Sequence, residues 1–454
     1  MSERSFDVVV IGAGPAGEVC AGRLADAGLE VAIVEQHLVG GECSFYGCMP
    51  SKALLRPGQV LAEARRIPGA AQAVDGLDVR AALERRDEVI HHLSDDEQVP
   101  WLEQRDIALV RGHGRVTGER TVLVGDETLA ARRAVVIATG TEPLVPPIPG
   151  LREARPWTNR EAVTSEEVPA SLVVLGGGTV GVEMADAYAS FGSRVTVIEA
   201  GPRVLAREEP FAGDEVCAAF AEAGIEVRAD TRATAVSRSD GRVTVELDDG
   251  TSVSADEILV AVGRRTLSAE LGLDDLGVEP GHPIEVDDTL RVSGHDWLYV
   301  IGDANGRALL THMGKYQGRI AADCILGREV PVRSDGPLSP RVTFTDPQVA
   351  AVGHTLASAQ DAGIDARALD VPTGGNAGGS FVGRGAPGTA RIVVDEDRRV
   401  IVGATFTGPE VAEALHAATI AVIGAVSLDD LWHAVPCFPT RSELWLKLLE
   451  AYGL

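Results

Sequence analysis

Asp7 leads a β-branched apolar run, residues 8–11, followed by Gly12, Gly14 and Gly17, which reads as a buried strand ending in a tight turn. A helical pattern then runs to about Ala27, Gly28 closes it, and residues 31–35 form a second strand ending at Glu35. The same order recurs with residues 172–175, Gly176, Gly178 and Gly181, a helix through Ala189, and residues 194–199 ending at Glu199. Between the two units, residues 53–110 read as helices, and residues 121–124 and 134–140 read as strands returning to the first sheet. The proline-rich residues 143–149 look like a hinge. After Gly263-Arg264-Arg265 the chain turns back, and residues 298–304 end another buried strand at Gly302-Asp303. From about Pro337 the texture changes to short β segments at 341–344 and 391–394, then helices at 409–426 and 442–452. The pattern predicts an α/β chain with two Rossmann-like domains and a separate C-terminal α+β domain. The Ala-rich helix at 411–426 suits a core or a subunit interface, and periodicity does not separate the two.

Strand, glycine turn, helix and strand in this order make a dinucleotide site. The glycines let backbone amides approach a pyrophosphate at the helix start, and an acid about 20 residues on accepts ribose hydroxyls. Glu35 and Glu199 stand in that place, so two dinucleotides are expected. An ordinary βα turn is the plainer alternative, and the matching strand, helix and acid argue against it. Glu199 should repel a 2′-phosphate and favour NADH over NADPH, although Arg203 and Arg207 lie close in sequence. Asp303 reads either as a sugar-binding acid at the ligand edge of the sheet or as a turn aspartate.

The length of 454 residues allows about three domains, and 45% hydrophobic with 24% charged residues describes a soluble globular protein. No apolar run approaches a membrane span, and the first strand lacks a signal-peptide cleavage site, so a cytoplasmic protein is expected. The net charge of -26 opposes nucleic acid and anionic membranes as partners. Six scattered cysteines are not a secreted disulfide framework, and no metal ligand set is assigned. Cys20, Cys217 and Cys324 fall in apolar helical patterns and read as packing residues.

Cys43 and Cys48 differ because they fall where a helix begins, with Pro50 at an early helical position and Lys52 following. Five steps of ideal helix rise roughly 7.5 Å, whereas a disulfide needs Cα atoms within about 7 Å. A bridge therefore requires a distorted turn relaxed by Gly47, and such a bridge is labile rather than structural. Amide dipoles at the helix start favour a thiolate at Cys48. Two small buried hydrophobes are the bland alternative. Only three lysines occur, Lys52, Lys315 and Lys447, so a lysine beside the pair stands out.

The chain resembles, end to end, the class I pyridine nucleotide-disulfide oxidoreductases, the family of dihydrolipoyl dehydrogenase, glutathione reductase and mercuric reductase. The markers are Gly12, Gly14 and Gly17 with Glu35, residues 40–52 with both cysteines, Thr139-Gly140, Gly176 through Glu183, Gly302-Asp303, and residues 344–348. The resemblance implies a homodimer with an FAD domain at residues 1–150 and 271–336, an NAD(P)H domain at 151–270 and a dimerisation domain at 337–454. It implies FAD contacts at Gly114, Thr139, Gly140, Asp303 and Met313, and NAD(P)H contacts at Val180 and Gly263 besides the second glycine motif. Cys48 would be the flavin-facing sulfur and Cys43 the interchange sulfur, with Lys52 near the flavin and paired with Glu183. A cation there stabilises the anionic reduced ring, and the carboxylate limits the cost of burying it. A salt bridge that merely ties domains is the competing role.

Departures from the family pattern bear on the acceptor. Where relatives carry a histidine that serves the dimer partner's interchange thiol, this chain has Phe438, while the glutamate five residues on remains as Glu443. A positioned base is worth about 10²- to 10⁴-fold. Three readings follow: disulfide reduction, for instance of lipoamide, with Glu443, water or His433 handling protons; reduction of a quinone, metal ion, dioxygen or electrophilic thioether that needs no base; or a redox-sensing flavoprotein with little turnover. A carboxylating branch of the superfamily also lacks the histidine. Cys437 reads as an interface residue rather than a further thiol of the site. The C terminus lacks the paired cysteines of mercuric reductases, Thr179 replaces a gating tyrosine, and Thr266-Leu267 replaces Pro-Asn.

Overall fold

The structure is a computed structural model and describes residues 2–454. The chain divides into two compact units, one of Met1–Pro50, Arg86–Pro143 and Arg264–Gly336, the other of Ser51–Arg85, Leu144–Gly263 and Pro337–Leu454.

In the first unit, five parallel strands lie in the order His295–Val300, Glu127–Ile137, Ser2–Ile11, Val31–Glu35, Ala108–Arg111. Val8 pairs with Val31 on one side and Ala134 on the other, so the chain winds both ways from the first strand. That reversal creates a crevice at the carboxyl ends of Ser2–Ile11 and Glu127–Ile137, where ligands of open α/β sheets bind. Helix Pro15–Asp26 packs on helix Thr311–Ile325, and Gly318 permits the approach because a Cβ there would stand 2.6 Å from the Ala16 carbonyl oxygen. Antiparallel strands Gly114–Gly118 and Thr121–Val124 extend the sheet through Glu127–Ile137. Residues Ala108–Arg111 depart from the helical reading of residues 53–110. The helix-forming Ala108 and Leu109 are drawn into parallel pairing with Ala32 and Ile33, so tertiary burial overrides local preference.

The second unit contains a four-stranded parallel sheet in the order Glu226–Arg228, Arg194–Ile198, Ser171–Leu175, Glu257–Val260. A three-stranded antiparallel sheet packs beside it, and a five-stranded antiparallel sheet is built from Arg341–Thr343, Gln348–Gly353, Val400–Gly408, Thr389–Asp395 and Ala366–Pro372. Helices Val411–Ile423 and Glu443–Tyr452 bury Leu415, Ala418, Leu444 and Leu448 against this last sheet. Helix Thr179–Ser190 lies in the core beside Leu54 and Leu55 of helix Cys48–Arg66. The α/β class with two Rossmann-like sheets and a C-terminal α+β portion is thus realised. Among the described residues no helix is long and apolar enough to cross a membrane.

Candidate active site

The first glycine turn is shaped for a ligand. Gly12 has φ +107°, and a Cβ on it would overlap the Ala138 carbonyl of the neighbouring strand, while a Cβ on Gly17 would overlap the Gly12 carbonyl. At Gly14 nothing lies within 4 Å, so the turn is tight behind and open in front. Glu35 braces it: Oε2 accepts from Ala13 N at 2.8 Å and Oε1 from His37 N at 2.8 Å. An open cradle at a helix start fits the pyrophosphate of FAD. Gly114 lets its strand cross the sheet, since a Cβ would sit 3.0 Å from Ile11 Cγ2.

At the adjacent strand ends, Thr139 Oγ1 donates to Leu267 O at 2.9 Å, and Gly140 takes the left-handed φ of +72°. Asp303 accepts from Thr141 Oγ1 at 2.8 Å, and burial pushes its carboxyl upward against the opposing effects of Thr141 and Arg264. Arg264 donates to Thr141 Oγ1 at 2.7 Å and reaches Glu42 at 3.2 Å. Met313 is buried in helix Thr311–Ile325. Two helix turns from its start, Gln317 Oε1 accepts from Gly302 N at 2.8 Å, leaving its buried Nε2 without a partner beside the crevice.

Cys43 lies in the short helix Gly41–Phe45, and Cys48 opens the helix Cys48–Arg66. The chain breaks at Tyr46 and Gly47, so the sulfurs are not separated by five steps of one helix. Gly47 fits tightly under Glu42, whose carbonyl oxygen would be 3.1 Å from a Cβ. Gly41, at φ +59°, packs on the glycine turn, and a Cβ there would be 2.9 Å from Gly14 Cα. Both cysteines are free thiols, Cys43 half-buried and Cys48 exposed. Cys48 Sγ lies 3.3 Å from Thr311 Oγ1, a contact from a residue that sequence reasoning did not single out. A hydrogen bond to Cys48 and burial hold the Cys43 proton in place and raise its pKa, with Thr311 and Lys315 opposing.

In the second unit the glycine geometry repeats. Gly176 has φ +105°, and a Cβ on it would stand 2.5 Å from the Ala261 carbonyl oxygen; one on Gly181 would overlap Gly176. Gly178 again faces open space, as does Gly263 at φ +135°. Glu199 accepts from Gly177 N at 2.5 Å and Gly201 N at 2.6 Å. Val180 remains exposed at the helix start, and Thr179 Oγ1 lies 3.1 Å from Thr343 Oγ1. Lys52 Nζ meets Glu183 Oε2 at 2.7 Å, with the Glu183 side chain 3% exposed and that of Lys52 36%. Glu183 Oε1 accepts from Phe344 N at 2.9 Å, and Lys52 Nζ sits 4.9 Å from the Phe344 ring centroid. Asp186, one helical turn after Glu183, is a half-buried acid that no motif signals.

Phe438 is 77% exposed, with Val435 at 83% and Cys437 and His433 also exposed. Glu443 starts helix Glu443–Tyr452, and its buried Oε2 has no hydrogen-bond partner. The Cys20 and Cys324 thiols are buried as packing residues, and burial pushes Cys20 up to about 12.

Residues 6–318 match the family described as pyridine nucleotide-disulphide oxidoreductase, and residues 339–448 match its dimerisation domain. A dihydrolipoyl dehydrogenase of Chlamydia muridarum is 31% identical over 452 residues, covering 98% of this chain and 96% of the relative. A mercuric reductase of Acidithiobacillus ferrooxidans is 32% identical over 442 residues, covering 94% of this chain and 79% of the relative. Among solved structures, the Cu(II) complex of the HOCl-induced flavoprotein disulfide reductase RclA from Escherichia coli superposes with a TM-score of 0.86. That match has 25% identity and covers 98% of this chain and 99% of the other.

Proposed function

Because the chain belongs to the pyridine nucleotide-disulphide oxidoreductase family, and so is an FAD-dependent enzyme using a pyridine nucleotide, we propose that it oxidises NADH and delivers the electrons through the Cys43 and Cys48 pair to an acceptor that needs no positioned base. Bound FAD would supply two-electron exchange between nicotinamide and dithiol. In this reading residues 1–150 and 271–336 hold FAD, with Gly12, Gly14, Gly17 and Glu35 at its pyrophosphate and ribose, and Gly114, Thr139, Gly140, Asp303 and Met313 along the rest. Residues 151–270 hold NADH through Gly176, Gly178, Val180, Gly181, Glu199 and Gly263. The fixed negative charge of Glu199 supports NADH over NADPH. In this reading Lys52, held by Glu183, would supply the cation that stabilises the reduced flavin.

Residues 337–454 would form a homodimer interface, a reading supported by exposed Phe381, Ile420, Trp432, Val435 and Phe438. Six free cysteines suit a reducing compartment such as the cytoplasm.

The observation that carries the acceptor class is Phe438 in the place of the base, with the Glu443 carboxylate left short of a partner. A thiophilic metal ion answers this chemistry: the dithiol becomes a disulfide, releases two protons, and converts two Cu(II) to two Cu(I), after which one NADH and one proton from solvent restore the dithiol. Copper in the RclA structure and the mercuric reductase relative support this choice. A second reading, reduction of a disulfide such as lipoamide, is favoured by the full-length likeness to dihydrolipoyl dehydrogenases.

Anaerobic titration with NADH tests the route. Wild type should develop a long-wavelength charge-transfer band that Cys48→Ala abolishes, and Cu(II) should reoxidise it faster than lipoamide. Reoxidation equally fast in Cys48→Ala would move the chemistry to the flavin alone, as for a quinone reductase. Slow turnover with every acceptor despite bound FAD would favour a redox sensor.

A further inference from the structure

Helix Thr179–Ser190 carries two acids one turn apart that grip the segment after strand Arg341–Thr343. Glu183 accepts the Phe344 amide at 2.9 Å, and Asp186 Oδ2 accepts the Asp346 amide at 3.0 Å. Glu183 pairs with Lys52 at 2.7 Å, and Asp346 pairs with Arg66; both cations come from helix Cys48–Arg66. Asp186 has no cation among the described residues, so three carboxylates share two cations. The other polar groups along these elements do not alter the count: Arg56 pairs with Glu63, Arg65 turns to the Asp75 carbonyl, Arg341 pairs with Glu208, and Gln59 donates to Phe344 O at 2.7 Å. The cluster is therefore charge-balanced only when Asp186 keeps its proton. Burial lifts the Asp186 carboxyl to about 7 against the hydrogen bond from the Asp346 amide, with the Asp346 and Glu183 charges adding to burial.

We propose that Asp186 is a proton-exchanging positioning residue for the Lys52 and Glu183 pair. When it ionises, a third negative charge beside Glu183 deepens the negative potential around the Lys52 ammonium; when it is neutral, Lys52 answers to Glu183 alone. The link to Lys52 as an electron-site cation rests on the proposed function, whereas the proton exchange itself rests on the cluster.

The sign of the pH effect on stability follows from the raised folded value. Between the ordinary 3.8 and about 7 the folded chain holds a proton that the unfolded chain has lost, so Asp186 favours folding most at low pH. Its contribution falls as pH rises to about 7 and is level above that.

Infrared difference spectra of the purified FAD-containing protein, kept oxidised and titrated with base, read the group directly. Wild type should show a carboxylic-acid carbonyl band lost with a midpoint near 7, and Asp186→Asn, whose amide oxygen can still accept from Asp346, should lose the Asp186 share of it, leaving the share of Glu18, which burial also raises to about 7. Should that variant not fold, Glu183→Gln in its place must shift the wild-type midpoint downward, because one repelling charge is gone. A band undiminished in Asp186→Asn, or a midpoint unmoved by Glu183→Gln, overturns the proton exchange. In FAD-loaded protein, the rate of anaerobic reduction by NADH should fall through the same pH window, and Asp186→Asn should remove that step. The infrared transition without a matching kinetic step would overturn the positioning role. Failure of NADH to reduce the flavin at any pH would instead strike the proposed function and leave the infrared result standing.

Discussion

Glu183→Ala removes two contacts at once, and the structure allows their weights to be separated. The Phe344 amide loses its acceptor at 2.9 Å, and an unsatisfied buried donor costs about 1–3 kcal/mol. Lys52 loses its partner at 2.7 Å, but with 36% of its side chain exposed it can turn to water. The full cost of breaking a buried pair, about 3–5 kcal/mol, must therefore be discounted toward the exposed-pair range of about 0.2–1 kcal/mol. Glu183→Gln keeps an oxygen for Phe344 and loses only the charge. Hydrogen exchange of the peptide spanning residues 344–346, followed by mass spectrometry, reads the local opening. At about 1.4 kcal/mol per tenfold, Glu183→Ala should speed exchange there roughly 10- to 100-fold, and Glu183→Gln less than tenfold. Unchanged exchange in Glu183→Ala, or equal acceleration in both variants, would refute the assignment of the amide bond as the larger contribution.

Gly12→Ala should yield protein with little bound FAD, measured by flavin absorbance after purification, since φ +107° and the Ala138 carbonyl leave no place for a methyl group. Phe438→His should raise the rate of disulfide reduction by up to about 10²-fold while leaving Cu(II) reduction nearly unchanged; no gain in lipoamide turnover would show that the missing base is not limiting. Because its pKa is raised by Cys48 and burial, reduced Cys43 should be alkylated slowly by iodoacetamide at neutral pH and faster as pH rises. Mass spectrometry of the Cys43 peptide gives the rate, and rapid modification already at pH 6 would contradict the raised value.

The glycine turns were legible because their chemistry is local: φ of +107° at Gly12 and +105° at Gly176 is a demand that a single residue type meets. The C-terminal sheet was only partly legible. Strand Val400–Gly408 is buried at all nine positions, so it lacks the alternation that marks a half-exposed strand. The cysteine pair was visible from its spacing, but Thr311 stands 263 residues away from Cys48 and carries no signal of its own. Asp186 sits in an alanine-rich helix where a polar residue reads as a solvated face. Only the return of the 344–346 segment makes it an acceptor, and that contact depends on topology. Glu42 was read as part of the cysteine motif, while its partner Arg264 lies 222 residues away.

The interruption at Tyr46 and Gly47 divides the labour between the two sulfur carriers. Gly41–Phe45 is a single turn and a half, pinned at its start against Gly14, whereas Cys48 is the first residue of a 19-residue rod. The two sulfurs therefore sit on separate backbone pieces, and a bond between them would be closed by torsions at Tyr46 and Gly47 instead of by bending one continuous helix.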